Sequence, residues 1–169
     1  MQSIPGPIED ALEAHEAFVQ TEDGYALETT VFETAVTAIQ AEGPRDGVIR
    51  VTVRLPTLDA ATTDPVASIV EDDWFQTLER RLADVFSVAH TTRHEEPRLE
   101  RNGEEVRVSL EYVTWNAGEG VDDAKTLIEY VEGTFAQGLI PGYDYRGEAA
   151  TLLENAQAAG DVDDSVSEP

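Results

Sequence analysis

Apolar residues recur along the 169-residue chain with two periods. Behind Pro7, the positions Ile8, Ala11, Leu12, His15, Phe18 and Val19 fall at spacings of three and four. This predicts a short amphipathic helix with Glu9, Asp10, Glu13 and Glu16 on its wet side. In TEDGYALETTVFETAVTAIQAE, Tyr25, Leu27 and Val31 share one parity, whereas Phe32, Val36 and Ala38 share the other. The shift places a bulge or tight turn near residues 29–31 and gives two strands or one broken strand. GPRDG (43–47) reads as a turn, and VIRVTVRL as a half-buried strand with Ile49, Val51, Val53 and Leu55 inward. Residues 56–65 read as a loop. A helix follows on the stripe Trp74, Leu78, Leu82, Val85 and Phe86. Asp72 and Asp73 suit its first turn, and Arg80 and Arg81 its C-terminal half.

Asn102-Gly103 predicts a type I′ hairpin whose second strand carries Val106, Val108, Leu110 and Tyr112 on one face. Val121, Ala124, Leu127, Ile128, Val131 and Phe135 mark a long helix, with Gly138 as its C′ residue and Pro141 beyond. EAATLLENAQAA gives one more short helix. The order α-β-β-β-α-β-β-α-α predicts one α+β domain over residues 1–160, followed by a disordered acidic tail at 161–169. Its antiparallel sheet has about five strands, with helices on one face. The chain is long enough to bury a real core.

Charge changes this picture. Asp and Glu number 35 against 11 basic residues, for a net charge of −24, and Lys125 is the only lysine. A surface of this kind repels itself in dilute buffer and is screened in molar salt, where the Debye length is about 3 Å. The acids are dispersed, which points to halophilic adaptation rather than a nucleic-acid mimic. One segment departs from the background: residues 80–107 hold six acids and six arginines, whereas residues 1–44 hold nine acids and no Lys or Arg. No cysteine is present, so disulfides and thiolate metal sites are excluded. No apolar run is long enough to span a bilayer. MQSIPGPIED lacks the basic region and apolar core of a signal peptide, so a cytoplasmic chain without a membrane partner is expected.

Candidate chemistry is sparse. HTTRHEEPR (90–98) holds His90 and His94 four apart, beside Glu95 and Glu96; on a helix this spacing would suit zinc. Two threonines and Pro97 make it a loop instead, so no metal or other cofactor is expected. Arg80, Arg81 and Arg101, with Arg93, Arg98 and Arg107, are candidates for an anion-binding patch. The alternative is neutralisation of neighbouring acids. No aromatic residue lies between 87 and 107, which disfavours nucleic acid. GLIPGYDYRGE (138–148) offers Tyr143, Tyr145 and Arg146 as interface anchors, or as packing residues. The nucleophile, P-loop, dinucleotide and zincin motifs are absent, and no catalytic residue is assigned.

The element order over residues 7–137 resembles that of the type III secretion chaperone-like and YbjN-like folds. Composition, and stretches such as LIPGYDYRGEAATLL, resemble an uncharacterised haloarchaeal family. The resemblance implies a chaperone-like module that binds another protein or a second copy of itself. It carries over no functional residue.

Overall fold

Two ten-residue strands, β4 (Gly47–Pro56) and β6 (Glu105–Thr114), run antiparallel through the middle of the sheet, in register from Gly47 opposite Thr114 to Pro56 opposite Glu105. A computed structural model describes residues 4–40 and 47–155 of the chain. On β4, Ile49, Val51, Val53 and Leu55 are buried, as are their cross-strand neighbours Tyr112, Leu110, Val108 and Val106. With β1 (Phe18–Thr21), β2 (Gly24–Leu27), β3 (Glu33–Ile39) and β5 (Arg98–Asn102), the sheet has six strands in the order β1-β2-β3-β4-β6-β5. All pairings are antiparallel.

Helices cover one face. The predicted stripe of α4 (Ala117–Gln137), from Val121 to Phe135, is fully buried. Each such side chain contributes about 1.5–3 kcal/mol by leaving water. The helix opens on Asn116, whose side chain accepts the Glu119 N–H at 3.0 Å. A β-carbon at Gly120 would lie 2.7 Å from the Thr114 side chain, so only glycine lets the first turn close onto β6. Helix α1 (Gly6–Ala14) packs Ile8 and Leu12 against α4. Helix α3 (Ser68–Leu82) buries Trp74, Leu78 and Leu82, and Trp74 meets Phe135 edge-on at 6.1 Å.

The α+β class and the sheet with helices on one face match the expectation; the strand count is six rather than about five. The additional strand comes from Phe18 and Val19, which the sequence pattern had assigned to the first helix. That helix ends at Ala14 because His15 is extended and its ring Nδ1 accepts the Ala17 N–H at 3.1 Å. Phe18 then enters a hairpin opposite Leu27. The parity shift is real: residues 28–32 turn between β2 and β3.

Other boundaries move. The expected loop at 56–65 contains a helical turn, α2 (Leu58–Ala61), capped by Thr57, which accepts the Ala60 N–H at 3.1 Å. Four residues are too few to show a period. Helix α3 starts early enough that Glu71, not Asp72 or Asp73, occupies its first turn. Val85 and Phe86 lie beyond it on a 3₁₀ turn (Val85–Val88). The hairpin loop is Gly103-Glu104, since Asn102 still pairs with Glu105. Gly103 has φ of 60°, and no described residue other than glycine has positive φ, which is the type II′ pattern rather than I′. Gly138 caps α4 in the right-handed region, with φ of −83°. Residues 147–155 are helical, as expected. The predicted turn at 43–47 lies almost wholly outside the described residues, and the tail at 161–169 entirely so. No helix among the described residues is long and apolar enough to cross a membrane.

Candidate functional site on the uncovered face of the sheet

His90 and His94 do not converge. Asp123, on α4, is 3% exposed, and its carboxylate accepts the His90 N–H at 2.8 Å and the Thr91 N–H at 3.0 Å. The His90 ring Nδ1 lies 2.9 Å from the same carboxylate, which holds the imidazole above its ordinary pKa, mainly through that hydrogen bond. His94 instead lies flat on Phe86, with ring centroids 3.9 Å apart, and its Nδ1 meets the Glu95 carbonyl. Among the described residues no group of three or more His, Asp or Glu is placed to hold a metal ion. The His90–Asp123 pair could move a proton at Nε2, but its evident work is to pin the chain leaving the 3₁₀ turn. Tyr112 closes the region from beneath. Its hydroxyl donates to the Gly120 carbonyl at 2.6 Å, and burial pushes its pKa far up.

The HTTRHEEPR segment is exposed and largely irregular, as expected of a loop, but it is tied to β6. Thr91 donates to the Val113 carbonyl, Val113 N–H to the Arg93 carbonyl, and Glu95 N–H to the Glu111 carbonyl. It therefore extends the β5 edge along β6. His94 bridges Tyr112 and Arg98 pairs with Ser109, so three residues, 95–97, lie opposite two. That is a bulge of one residue, which lifts Glu96 and Pro97 into a rim.

The six arginines of the neutral segment do not form one patch. Arg101 faces α3, where it pairs with Asp72 at 2.9 Å and lies 4.8 Å over the Phe75 ring. Arg107, on the next strand, faces the other side of the sheet, its guanidinium 4.0 Å from Glu105. Arg80 and Arg81 are exposed on α3, and Arg80 reaches Thr77 at 3.4 Å. Tyr145 and Arg146 are tied inward. The Tyr145 hydroxyl accepts the Ile140 N–H and donates to its carbonyl, while Arg146 donates to the Ala60 and Ala61 carbonyls. Tyr143, which precedes both, is half-buried. This segment clasps the α2 turn rather than presenting anchors.

A wide groove lies elsewhere, on the face of the sheet that no helix covers. It encloses about 960 Å³ over Arg50, Thr52, Ser109, Glu111 and Arg98, bounded by the Glu95–Pro97 rim. The register explains its floor. Rows cross the strands as Glu33–Arg54–Arg107–Glu100, then Ala35–Thr52–Ser109–Arg98, then Thr37–Arg50–Glu111, then Ile39–Val48–Val113. Over strands β3 to β6 this face carries four arginines and four glutamates, so the whole net charge of −24 resides elsewhere in the chain. Arg50 and Glu111 pair at 2.6 Å. Just past the apolar end, Trp115 is 49% exposed. Asp123, Thr52 and Ser109 were not singled out in the sequence. Asp123 sits at the margin of the α4 apolar arc, a weak signal. Thr52 and Ser109 become neighbours only through the β4–β6 register.

No curated protein and no solved structure matches the chain. A family model described as "Family of unknown function (DUF5813)" matches residues 13–155. That span takes in the sheet, helices α2 to α4, the last two residues of α1 and every residue of the groove, and the chain belongs to this family of unknown function.

Proposed function

We propose that the chain is a non-catalytic interaction module of a salt-rich cytoplasm, and that it receives another protein, or a second copy of itself, on the uncovered face of the sheet. The observation that carries this reading is the charge contrast. Two proteins as acidic as this one repel each other over most of their surfaces. On this face arginine and glutamate balance, and the row Ile39–Val48–Val113 offers apolar surface beside them. The sheet edges suit strand addition poorly. β1 has four residues, and β5 is charged at Arg98, Glu100 and Arg101 and bulged at its start. The element order read from the sequence, which resembles that of chaperone-like folds, is in keeping with this reading.

The test is purification from a native lysate held at molar salt, followed by sedimentation of the complex. A retained protein or a dimer is expected, lost on Val113→Glu while circular dichroism stays unchanged. A monomer that retains no protein sinks the reading. The salt-rich habitat has its own check: the thermal midpoint should fall steadily as salt is dialysed from molar to millimolar, and a constant midpoint contradicts it.

A further inference from the structure

The row through the middle of the groove has an unusual composition. Thr52 and Ser109 stand directly opposite each other on β4 and β6, and Arg98 stands opposite Ser109 on β5. Among the described residues, neither hydroxyl makes a hydrogen bond and the Arg98 guanidinium has no carboxylate partner. Arg50, Arg54 and Arg107 on the same face each have a carboxylate within 4.0 Å, so Arg98 is the one there left to donate freely among the described residues.

Along and across the strands the immediate neighbours of the hydroxyl pair are mostly arginine, whereas the rim of the groove is acidic. On this face Thr52 is flanked along its strand by Arg50 and Arg54, and Ser109 by Arg107 and Glu111. Arg98 completes the set across the next strand. Four of the eleven basic residues thus neighbour two hydroxyls on the sheet, against Glu111 beside Ser109 and Glu95 and Glu96 on the rim. Neighbouring strands lie about 4.8 Å apart and alternate residues about 7 Å. Of the four, Arg50 and Arg98 line the groove over the pair, whereas Arg54 and Arg107 lean toward Glu33 and Glu105. Arg54 and Arg107 are moreover direct cross-strand partners. Like charges in that position are destabilising without a counter-charge. Their carboxylate neighbours stand off: Arg54 is 3.7 Å from Glu33 and 4.0 Å from Glu105, and Arg107 is 4.0 Å from Glu105. Only the Arg50–Glu111 pair is tightly hydrogen-bonded.

We infer that this row is a binding site for the phosphate group of a small phosphorylated polyol or sugar. A tetrahedral oxyanion accepts from several directions at once. Here two hydroxyls rise from the floor, Arg50 and Arg98 line the groove, and Arg54 and Arg107 stand beyond its end, each able to donate in a planar fork. The groove of about 960 Å³ is larger than a phosphate alone requires. Its far wall is Glu95, Glu96 and Pro97, so the remainder of the ligand meets carboxylates that accept hydrogen bonds from hydroxyl groups. A long polyanion fits poorly, because the rest of the molecule carries the full net charge of −24. The inference stands apart from the protein-partner reading, since the site is complete within one chain.

The test is calorimetry and phosphorus NMR on the full chain in molar potassium chloride. The probes are inorganic phosphate, glycerol phosphate, glycerol and a short single-stranded oligonucleotide. Saturable one-to-one binding is expected for both phosphates, tighter for glycerol phosphate, with none for glycerol. Arg98→Gln and the pair Thr52→Val with Ser109→Ala should each weaken binding about tenfold or more, as loss of charge-assisted hydrogen bonds does. Glu95→Gln with Glu96→Gln should remove the advantage of glycerol phosphate and leave inorganic phosphate unchanged. Arg80→Gln with Arg81→Gln, the charge-matched control on α3, should leave both unchanged. Absence of saturable phosphate binding, an equal loss in the α3 control, or tighter binding of the oligonucleotide overturns the inference. No partner protein is present, so the outcome does not depend on whether the partner reading succeeds.

Discussion

Strands β4 and β6 present two faces that differ in everything except their backbone. On one side Ile49, Val51, Val53 and Leu55 meet Tyr112, Leu110, Val108 and Val106 under α4, and all eight are at most 1% exposed. One residue further along each strand, Val48, Arg50, Thr52 and Arg54 meet Val113, Glu111, Ser109 and Arg107 with no helix above them. The first face is closed by volume: every position is filled, and a change is felt as a cavity. The second is organised by charge and hydrogen-bond capacity, and part of that capacity is unused. Stability is concentrated on one side of the sheet, and the capacity to bind on the other.

This contrast can be broken by experiment. The largest effect is expected on the covered side: Leu127→Ala in α4 should cost about 2–5 kcal/mol in urea unfolding at molar salt. A cost equal to that of an open-face substitution would remove the contrast. Next comes Asp123, whose carboxylate satisfies two backbone N–H groups and the His90 ring. Asp123→Ala leaves these donors without their acceptor and should cost about 2–4 kcal/mol. A smaller effect, about 1 kcal/mol, is expected for Asn116→Ala at the start of α4. Thr52→Val, in the groove floor, should change stability by less than about 0.5 kcal/mol while altering ligand binding. A large loss there would mean that the open face also holds the fold together.

The His90–Asp123 link also has a pH signature. The pKa of His90 is raised in the folded state, so its contribution to stability is fully present below the unfolded value near 6.5. It is lost as pH rises through the folded value. The stability difference between wild type and His90→Gln should therefore shrink as pH rises through neutrality. Titration of the His90 ring by NMR should give a value above 6.5 that falls in Asp123→Asn. A difference that grew with pH would reverse the sign and refute the assignment.

Much of the covered face was legible in the sequence because its signals are local and periodic. The alternation at 48–55 and 106–112 and the stripe of α4 needed no partner to be recognised. Where periodicity was short or accidental, reading failed: α2 has only four residues, and Phe18 falls at a helical spacing from His15 although the backbone has already turned. The hairpin was placed one residue early because Asn-Gly is the stronger local turn signal, yet Asn102 pairs with Glu105 in the ladder. The neutral segment at 80–107 could be counted from the sequence but not sorted by face. Neighbours in sequence alternate across a strand, so Arg101 went to α3 and Arg107 to the open side. His90 and His94 are held apart for a reason the sequence did not contain: Asp123, far along the chain, pairs with one while Phe86 stacks on the other.

What the sequence determined by itself was which side of each element is dry, and that the surface is acidic. Both follow from residue type and spacing along one strand or helix, and neither requires knowledge of what lies across. Only the tertiary structure decided which polar residues meet. The opposition of Thr52 and Ser109, the placing of Arg50, Arg54, Arg98 and Arg107 on one face, and the capture of His90 by Asp123 depend on strand register and helix docking between distant segments. Those are set by how the buried faces fit together, so the arrangement of the wet face is a consequence of packing on the dry one.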